Sequence, residues 1–237
     1  MIRLALVAAL AALMLAAPAA SGQPPGRLGE QLYAGYCSRC HGPEGRGLDS
    51  LGPSLEGVGA LAADFYLRTG YMPLESPDER PRRSRVVFSE PELDALIGYV
   101  ASLGAGPQVP EPHPEEGDVA QGLALFTESC AGCHQVVAEG GYVPEAVAPP
   151  LDDATPVQIA EAVRIGPYLM PRFSERQLSD AELDSIVAYV ERSQRPVDEG
   201  GWGLGHLGPV PEGLVAWLVA GAALLGICLL IGERVRK

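Results

Sequence analysis

Two five-residue segments carry the most reactive side chains of this chain: Cys37-Ser38-Arg39-Cys40-His41 and Cys130-Ala131-Gly132-Cys133-His134. Two thiols at this spacing can add across the two vinyl groups of a haem. The imidazole that follows can then ligate the iron from one side. A C-x-x-C pair also serves as a redox dithiol or as half of a zinc site. Neither use calls for a histidine directly after each pair. A single zinc site built from both pairs would also have to bridge the 89 residues from 41 to 129. The spacing therefore points to covalent haem at Cys37 and Cys40 and again at Cys130 and Cys133, with His41 and His134 as iron ligands.

The far side of each iron needs a second soft ligand. The chain has 4 Met. Met1 and Met14 lie at the N-terminal end, which leaves Met72 and Met170. They fall in Arg68-Thr69-Gly70-Tyr71-Met72-Pro73 and Arg164-Ile165-Gly166-Pro167-Tyr168-Leu169-Met170-Pro171. Proline disfavours helix at the residue before it, so both thioethers are expected on extended loops. Met72 comes 31 residues after His41, and Met170 comes 36 after His134. Methionine often fills gaps in a core. Here its position repeats and no other soft ligand is on offer, so Met72 and Met170 are expected as the opposite axial ligands.

The elements that must position these groups repeat as well. Gly29-x-x-Leu32-Tyr33-x-x-x-Cys37 matches Gly122-x-x-Leu125-Phe126-x-x-x-Cys130, and each reads as a short amphipathic helix leading into the cysteines. Each copy closes with a helix. Ser89 and Glu92, and likewise Ser179 and Glu182, have the spacing of a capping box. Pro91 is tolerated in the first turn. Leu93, Leu96, Ile97 and Val100 then form one apolar stripe. Residues 107–116 hold four prolines within eight residues and read as a stiff linker between the copies. A Gly-rich stretch, residues 200–208, follows the second copy.

Both ends differ from the middle. Arg3, the apolar run from Leu4 to Ala17 and the small residues after it read as a signal peptide or an N-terminal anchor. Residues 213–232 contain no charge. At about 1.5 Å per residue they span about 30 Å, one hydrocarbon core. Arg234, Arg236 and Lys237 follow, so by the positive-inside rule the tail is cytoplasmic and the rest of the chain lies outside. Trp217 suits the outer interface, and Cys228, within the helix, serves as a small apolar residue. Residues 21–212 carry 13 basic and 29 acidic groups, a net of −16. Such a surface repels nucleic acid and favours a basic partner or simply keeps the protein soluble. Arg80, Arg82, Arg83 and Arg85 form a basic run. Together with Arg172 and Arg176 they could pair with haem propionates, although a solvated loop accounts for them as well. His113 and His206 are isolated and expected to ligate nothing.

At both C-x-x-C-H motifs the sequence resembles the c-type cytochromes, and the closing helices resemble the C-terminal helix of class I cytochromes c. The resemblance implies that a proline carbonyl holds the second nitrogen of each histidine, and Pro53 and Pro150 are the expected donors of that carbonyl. With the run GGWGLGHLGPVPEGLVAWL ahead of and into the apolar helix, the whole chain resembles the dihaem cytochrome c subunit of Gram-positive bc-type quinol:cytochrome c oxidoreductases. The expected fold is all-α, two tandem class I cytochrome c-like domains plus one C-terminal transmembrane helix. The expected organisation is a signal or anchor at 1–20, domains at 27–105 and 117–195, linkers at 106–116 and 196–212, a transmembrane helix at 213–232 and a cytoplasmic tail at 233–237. The resemblance implies two covalently bound haem c groups with no open iron position, and an electron carrier rather than a catalyst within a quinol–cytochrome c reductase. It implies a cytochrome b subunit and a Rieske iron–sulfur protein as partners. It also implies a terminal oxidase as acceptor, the first haem receiving electrons and the second passing them on. Ala216, Ala220, Ala222 and Gly226 offer a small-residue face for helix docking. The cytochrome subunit of a periplasmic dehydrogenase is the competing expectation. A dihaem peroxidase would need an open iron, which two methionines argue against.

Overall fold

A computed structural model describes residues 25–195 and 209–235. The expected signal peptide or anchor, His206 and the Gly-rich stretch at 200–208 lie outside the described residues. The chain falls into two compact units, one ending at Gln194 and one starting at Arg195. The first unit contains both repeats.

The first repeat consists of α1 (Pro25–Tyr36), the single turn α2 (Ser38–His41), α3 (Gly59–Arg68) and α4 (Glu90–Ser102). The second consists of α5 (Val119–Ser129), the turn α6 (Ala131–His134), a hairpin of β1 (Gly141–Val143) and β2 (Ala146–Ala148), α7 (Pro156–Ile165) and α8 (Asp180–Gln194). The fold is all-α, as expected, apart from this hairpin. Its antiparallel register pairs Tyr142 with Val147, and Glu145 turns the corner at φ 68°. Strands of three residues each are too short for a period-two alternation to be read from the sequence.

In each repeat the first helix crosses the last, α1 on α4 and α5 on α8. The crossing explains Gly29 and Gly122. A Cβ on Gly29 would stand 2.1 Å from the Ala95 carbonyl oxygen, and one on Gly122 1.9 Å from that of Ser185. Backbone touches backbone there, and no side chain fits. The expected stripe of Leu93, Leu96, Ile97 and Val100 is buried, as are Leu183, Ile186, Val187 and Val190. Each stripe packs with an aromatic of the first helix: the Tyr33 and Tyr99 rings lie 5.0 Å apart, Phe126 and Tyr189 5.3 Å. Burying such side chains contributes roughly 1.5–3 kcal/mol each. Both capping boxes form: the backbone N–H of Ser89 donates to Glu92 at 2.8 Å, and that of Ser179 to Glu182 at 2.8 Å.

The segment between the repeats is extended, but it is also fastened at both ends. The N–H of Leu61 donates to the Pro107 carbonyl at 3.2 Å, and the His113 N–H donates to Asp184 at 2.7 Å. A short 3₁₀ turn (Pro114–Glu116) follows, and Asp118 caps α5 through the N–H groups of Ala120 and Gln121.

Among the described residues of the second unit, helix α9 (Pro209–Val235) contains an apolar span from Gly213 to Arg234 that is long enough to cross a membrane. It outruns the expected 213–232 at both ends and takes in part of the expected tail. Nothing after Gly232 breaks an α-helix, and a cation in the last turn suits the helix dipole. Trp217 is exposed on it.

Candidate haem sites

Each C-x-x-C-H segment folds as one helical turn. In the first, the N–H groups of Cys40 and His41 donate to the Cys37 carbonyl at 3.1 and 2.9 Å. In the second, those of Cys133 and His134 donate to Cys130 at 3.1 and 2.9 Å. Positions i, i+3 and i+4 of a helical turn share a face, so both thiols and the imidazole point to one side. All four cysteines are free thiols. Burial, then the neighbouring Cys40, pushes the Cys37 thiol up to about 11, and burial, then Cys133, does the same to Cys130. A redox dithiol works through a lowered thiol pKa, so these values speak against that use.

A proline carbonyl fixes each histidine. His41 Nδ1 lies 2.8 Å from the Pro53 oxygen, and His134 Nδ1 lies 3.0 Å from that of Pro149. A carbonyl only accepts, so Nδ1 carries the proton and Nε2 keeps its lone pair for a metal. His134 is buried and its pKa lies below the ordinary value because of that burial, with the Pro149 bond acting the other way. Pro53 stands where it was expected. Pro150 does not serve; the carbonyl belongs to Pro149. The element common to both copies is Pro-x-Leu, Pro53-Ser54-Leu55 and Pro149-Pro150-Leu151. Its leucine N–H is tied to the residue four after the histidine, Leu55 to Gly45 at 2.7 Å and Leu151 to Ala138 at 2.9 Å. That register sets the acceptor.

Cys37, Cys40, His41 and Met72 line one cavity of about 490 Å³, within the range of ordinary cofactor pockets. Pro53, Leu55, Val58 and Leu67 furnish apolar wall, and Tyr66 and Tyr71 close one side. Both tyrosines titrate above the ordinary range because they are buried. Met72 is on an extended loop, anchored by its N–H to the Tyr66 carbonyl at 3.0 Å. The thiols, a lone-pair nitrogen and a thioether around an apolar cavity fit a covalent haem. In the second repeat Met170 and Cys130 pack on the same core cluster, with Leu151 and Phe173.

The arginine runs and His113 lie at the surface. Arg80, Arg82, Arg83, Arg85, Arg172 and Arg176 are exposed. Arg83 reaches the Asp153 carbonyl at 3.4 Å, across to the second repeat. His113 contacts Glu115 at 3.2 Å, and among the described residues no group of three or more His, Cys, Asp or Glu side chains could hold a metal ion.

Two features were not anticipated. Pro167 and Tyr168, from the second repeat, line the first repeat's cavity. Glu161 on α7 is fully buried where α7 packs on α3, and neither of its carboxylate oxygens has a hydrogen-bond partner. Burial, then the Asp64 carboxyl on α3, pushes its pKa up to about 9, while Arg68 acts against the shift. With no hydrogen bond joining the two carboxyls, the influence of Asp64 is chiefly repulsion.

The helices, the paired cysteine–histidine turns and their proline anchors define a tandem cytochrome c protein. A family profile described as cytochrome c oxidase, cbb3-type, subunit III matches residues 24–100 and 117–190, the two repeats. The cytochrome bc1 complex cytochrome c subunit of Corynebacterium diphtheriae is 36% identical over 224 residues, covering 87% of this chain and 80% of that protein. The subunit of the same name from Mycobacterium tuberculosis is 37% identical over 218 residues, covering 88% and 78%. The CcoP subunit of a cbb3-type cytochrome c oxidase from Azospirillum is 28% identical over 187 residues, covering 68% and 60%. This chain belongs to the family of cytochrome bc1 complex cytochrome c subunits, which makes it a haem c-binding electron carrier; among the described residues one helix is able to span a membrane. These relatives do not favour the dehydrogenase-subunit reading.

Proposed function

We propose that this chain is the dihaem electron wire of a quinol:cytochrome c oxidoreductase. Cys37 and Cys40 attach one haem, with His41 and Met72 on its iron; Cys130 and Cys133 attach the other, with His134 and Met170. The observation that carries this is the twofold occurrence of one arrangement, a cysteine–histidine turn with its imidazole locked by a proline carbonyl. Bound there, each haem supplies a one-electron ferrous–ferric couple.

The residues do the rest. The proline carbonyls hold each ring through Nδ1, leaving Nε2 free to ligate an iron and raising its basicity. Met72 and Met170 would hold the iron together with the histidines, which would exclude substrate and raise the potential. The cavity walls keep water away. Helix α9 anchors the carrier with both domains on the extracytoplasmic side, as the charged tail favours. The partners that fit are a cytochrome b subunit and a Rieske protein as donor, and a terminal oxidase as acceptor. The reductase activity belongs to that whole complex. The cbb3-type oxidase subunit among the relatives supports the oxidase link.

The experiment is gentle detergent solubilisation and purification through this chain, with partners read from subunit masses and visible spectra. Recovery of b-type haem and an iron–sulfur protein is the expected result. Recovery of a soluble dehydrogenase instead would reject the assignment. Replacing Met72 or Met170 by Ala should lower that haem's potential and let carbon monoxide bind its iron; if neither change occurs, the ligand assignment is rejected.

A further inference from the structure

The methionine loops of the two repeats differ in length. Gly70-Tyr71-Met72 in the first corresponds to Gly166-Pro167-Tyr168-Leu169-Met170 in the second, two residues longer. The longer loop is the one that reaches out of its own repeat. Pro167 and Tyr168 line the cavity of Cys37, Cys40, His41 and Met72, while Met170, two residues on, packs on the second repeat's core, as Cys130 does. One short loop therefore touches the first cofactor's pocket and carries the second cofactor's expected ligand.

The loop is held there. Helix α7 ends at Ile165, immediately before it, and α7 packs on α3, whose Ala63 and Leu67 line the same cavity. The Met170 N–H donates to the Pro167 carbonyl at 3.0 Å and closes the loop as a turn. Tyr168 sits at φ 54°, in the left-handed region that a non-glycine residue keeps only where its surroundings require it. Tyr168 is half-exposed while it lines the cavity.

Resting on the dihaem reading above, we propose that Tyr168 is a positioning residue for electron transfer between the two haems. Its ring covers the edge of the first haem pocket. Covering that edge removes water and favours the less charged ferrous state, which raises the first haem's potential. Because Tyr168 and Met170 share one turn, the cover on the first pocket and the ligand of the second iron move together, and this fixes the two centres relative to each other. The step itself is a single-electron exchange: one iron goes from ferrous to ferric, the other from ferric to ferrous, and no bond forms or breaks.

The test uses the full-length chain with its haems, solubilised in detergent, comparing Tyr168→Gly and Tyr168→Phe with the natural sequence. Glycine removes the ring and suits the left-handed backbone, so the loop is not forced to refold. The readouts are a spectroscopic redox titration and the rate of inter-haem equilibration after photoreduction. The first haem's wave is identified as the one lost in Cys37→Ser/Cys40→Ser. In Tyr168→Gly both haems should stay covalently attached and insensitive to carbon monoxide, the first haem's potential should fall, and equilibration should slow. Tyr168→Phe should match the natural protein, since packing rather than the hydroxyl acts. An unchanged first-haem potential, or an unchanged rate, overturns the proposal, as does a shift confined to the second haem, which would mean a local effect on Met170. Fewer than two haems in the unsubstituted chain would overturn the dihaem reading itself.

Discussion

The two repeats fasten the same cysteine–histidine turn with a tyrosine hydroxyl taken from opposite helices. In the first repeat Tyr33 of α1 donates to the Gly42 carbonyl at 2.7 Å; in the second Tyr189 of α8 donates to the Val136 carbonyl. The residues opposite them, Tyr99 and Phe126, contribute a ring alone. The proline carbonyl–histidine contact is kept in both repeats, at 2.8 and 3.0 Å, even though the second repeat inserts three residues and a hairpin between them. The part nearest the expected iron is held constant, and the chain around it is free to change. The insertions carry the differences: a long arginine-bearing loop after Met72, and the Pro167–Tyr168 pair before Met170. Both reach across the boundary between the repeats.

The strongest way to break this comparison is to remove one site at a time. Cys37→Ser/Cys40→Ser and Cys130→Ser/Cys133→Ser should each abolish one covalent haem and leave the other, halving the pyridine haemochrome signal per chain. Loss of both haems from either variant would show that the repeats do not fold around their cofactors separately. The next effect lies at the helix crossings. Gly29→Ala and Gly122→Ala should each lower thermal stability by about 3 kcal/mol or more, because a methyl group must displace backbone. Gly122→Ala should cost more, having the shorter approach. Gly98→Ala, which meets nothing within 4 Å, should be neutral or slightly stabilising in thermal melts.

Glu161 distinguishes the repeats electrostatically. Counting back from Arg164 and Arg68, its counterpart is Phe65, also buried. The Glu161 carboxyl titrates near 9 in the fold and at about 4.5 unfolded. The folded form therefore holds the extra proton between those values. Stability conferred by the packed neutral carboxyl is full below about pH 4.5 and declines as pH rises through about 9. Asp64 and Arg68 are the charged groups that face it from α3. Glu161→Gln should flatten the decline in denaturant titrations between pH 6 and 9, and identical slopes would refute the assignment. Modest effects are expected at the tyrosines. Tyr33→Phe and Tyr189→Phe should each cost about 1 kcal/mol in chemical denaturation, one hydrogen bond, while Tyr99→Phe should cost less.

Local chemistry was legible in the sequence, and juxtaposition was not. The cysteine pairs, the histidines, the capping boxes and the buried stripe of the closing helix follow from spacing within a turn or two, and that spacing is what a helix converts directly into geometry. Pro149 was missed for Pro150 because two adjacent prolines look alike until the leucine N–H sets the register. Tyr168 and Glu161 were unreadable for a different reason. Each acts across the contact between α3 and α7, and nothing in a linear pattern says which faces of two similar domains meet. A length difference between the methionine loops was visible, but its destination required the fold.

The fastening at Pro107 has a practical meaning for dissecting the molecule. Residues 104–107 lie backbone against backbone on residues 57–59: a Cβ on Gly59 would come within 2.2 Å of the Pro107 oxygen, and one on Gly106 within 2.5 Å of the Gly57 oxygen. A first domain excised at residue 105, where its last helix has already ended, would strip the partner from the Leu61 N–H at the head of α3 and bare the floor beneath it. The cut that preserves an intact domain falls beyond Pro107, inside the proline-rich stretch that composition alone would have discarded as spacer.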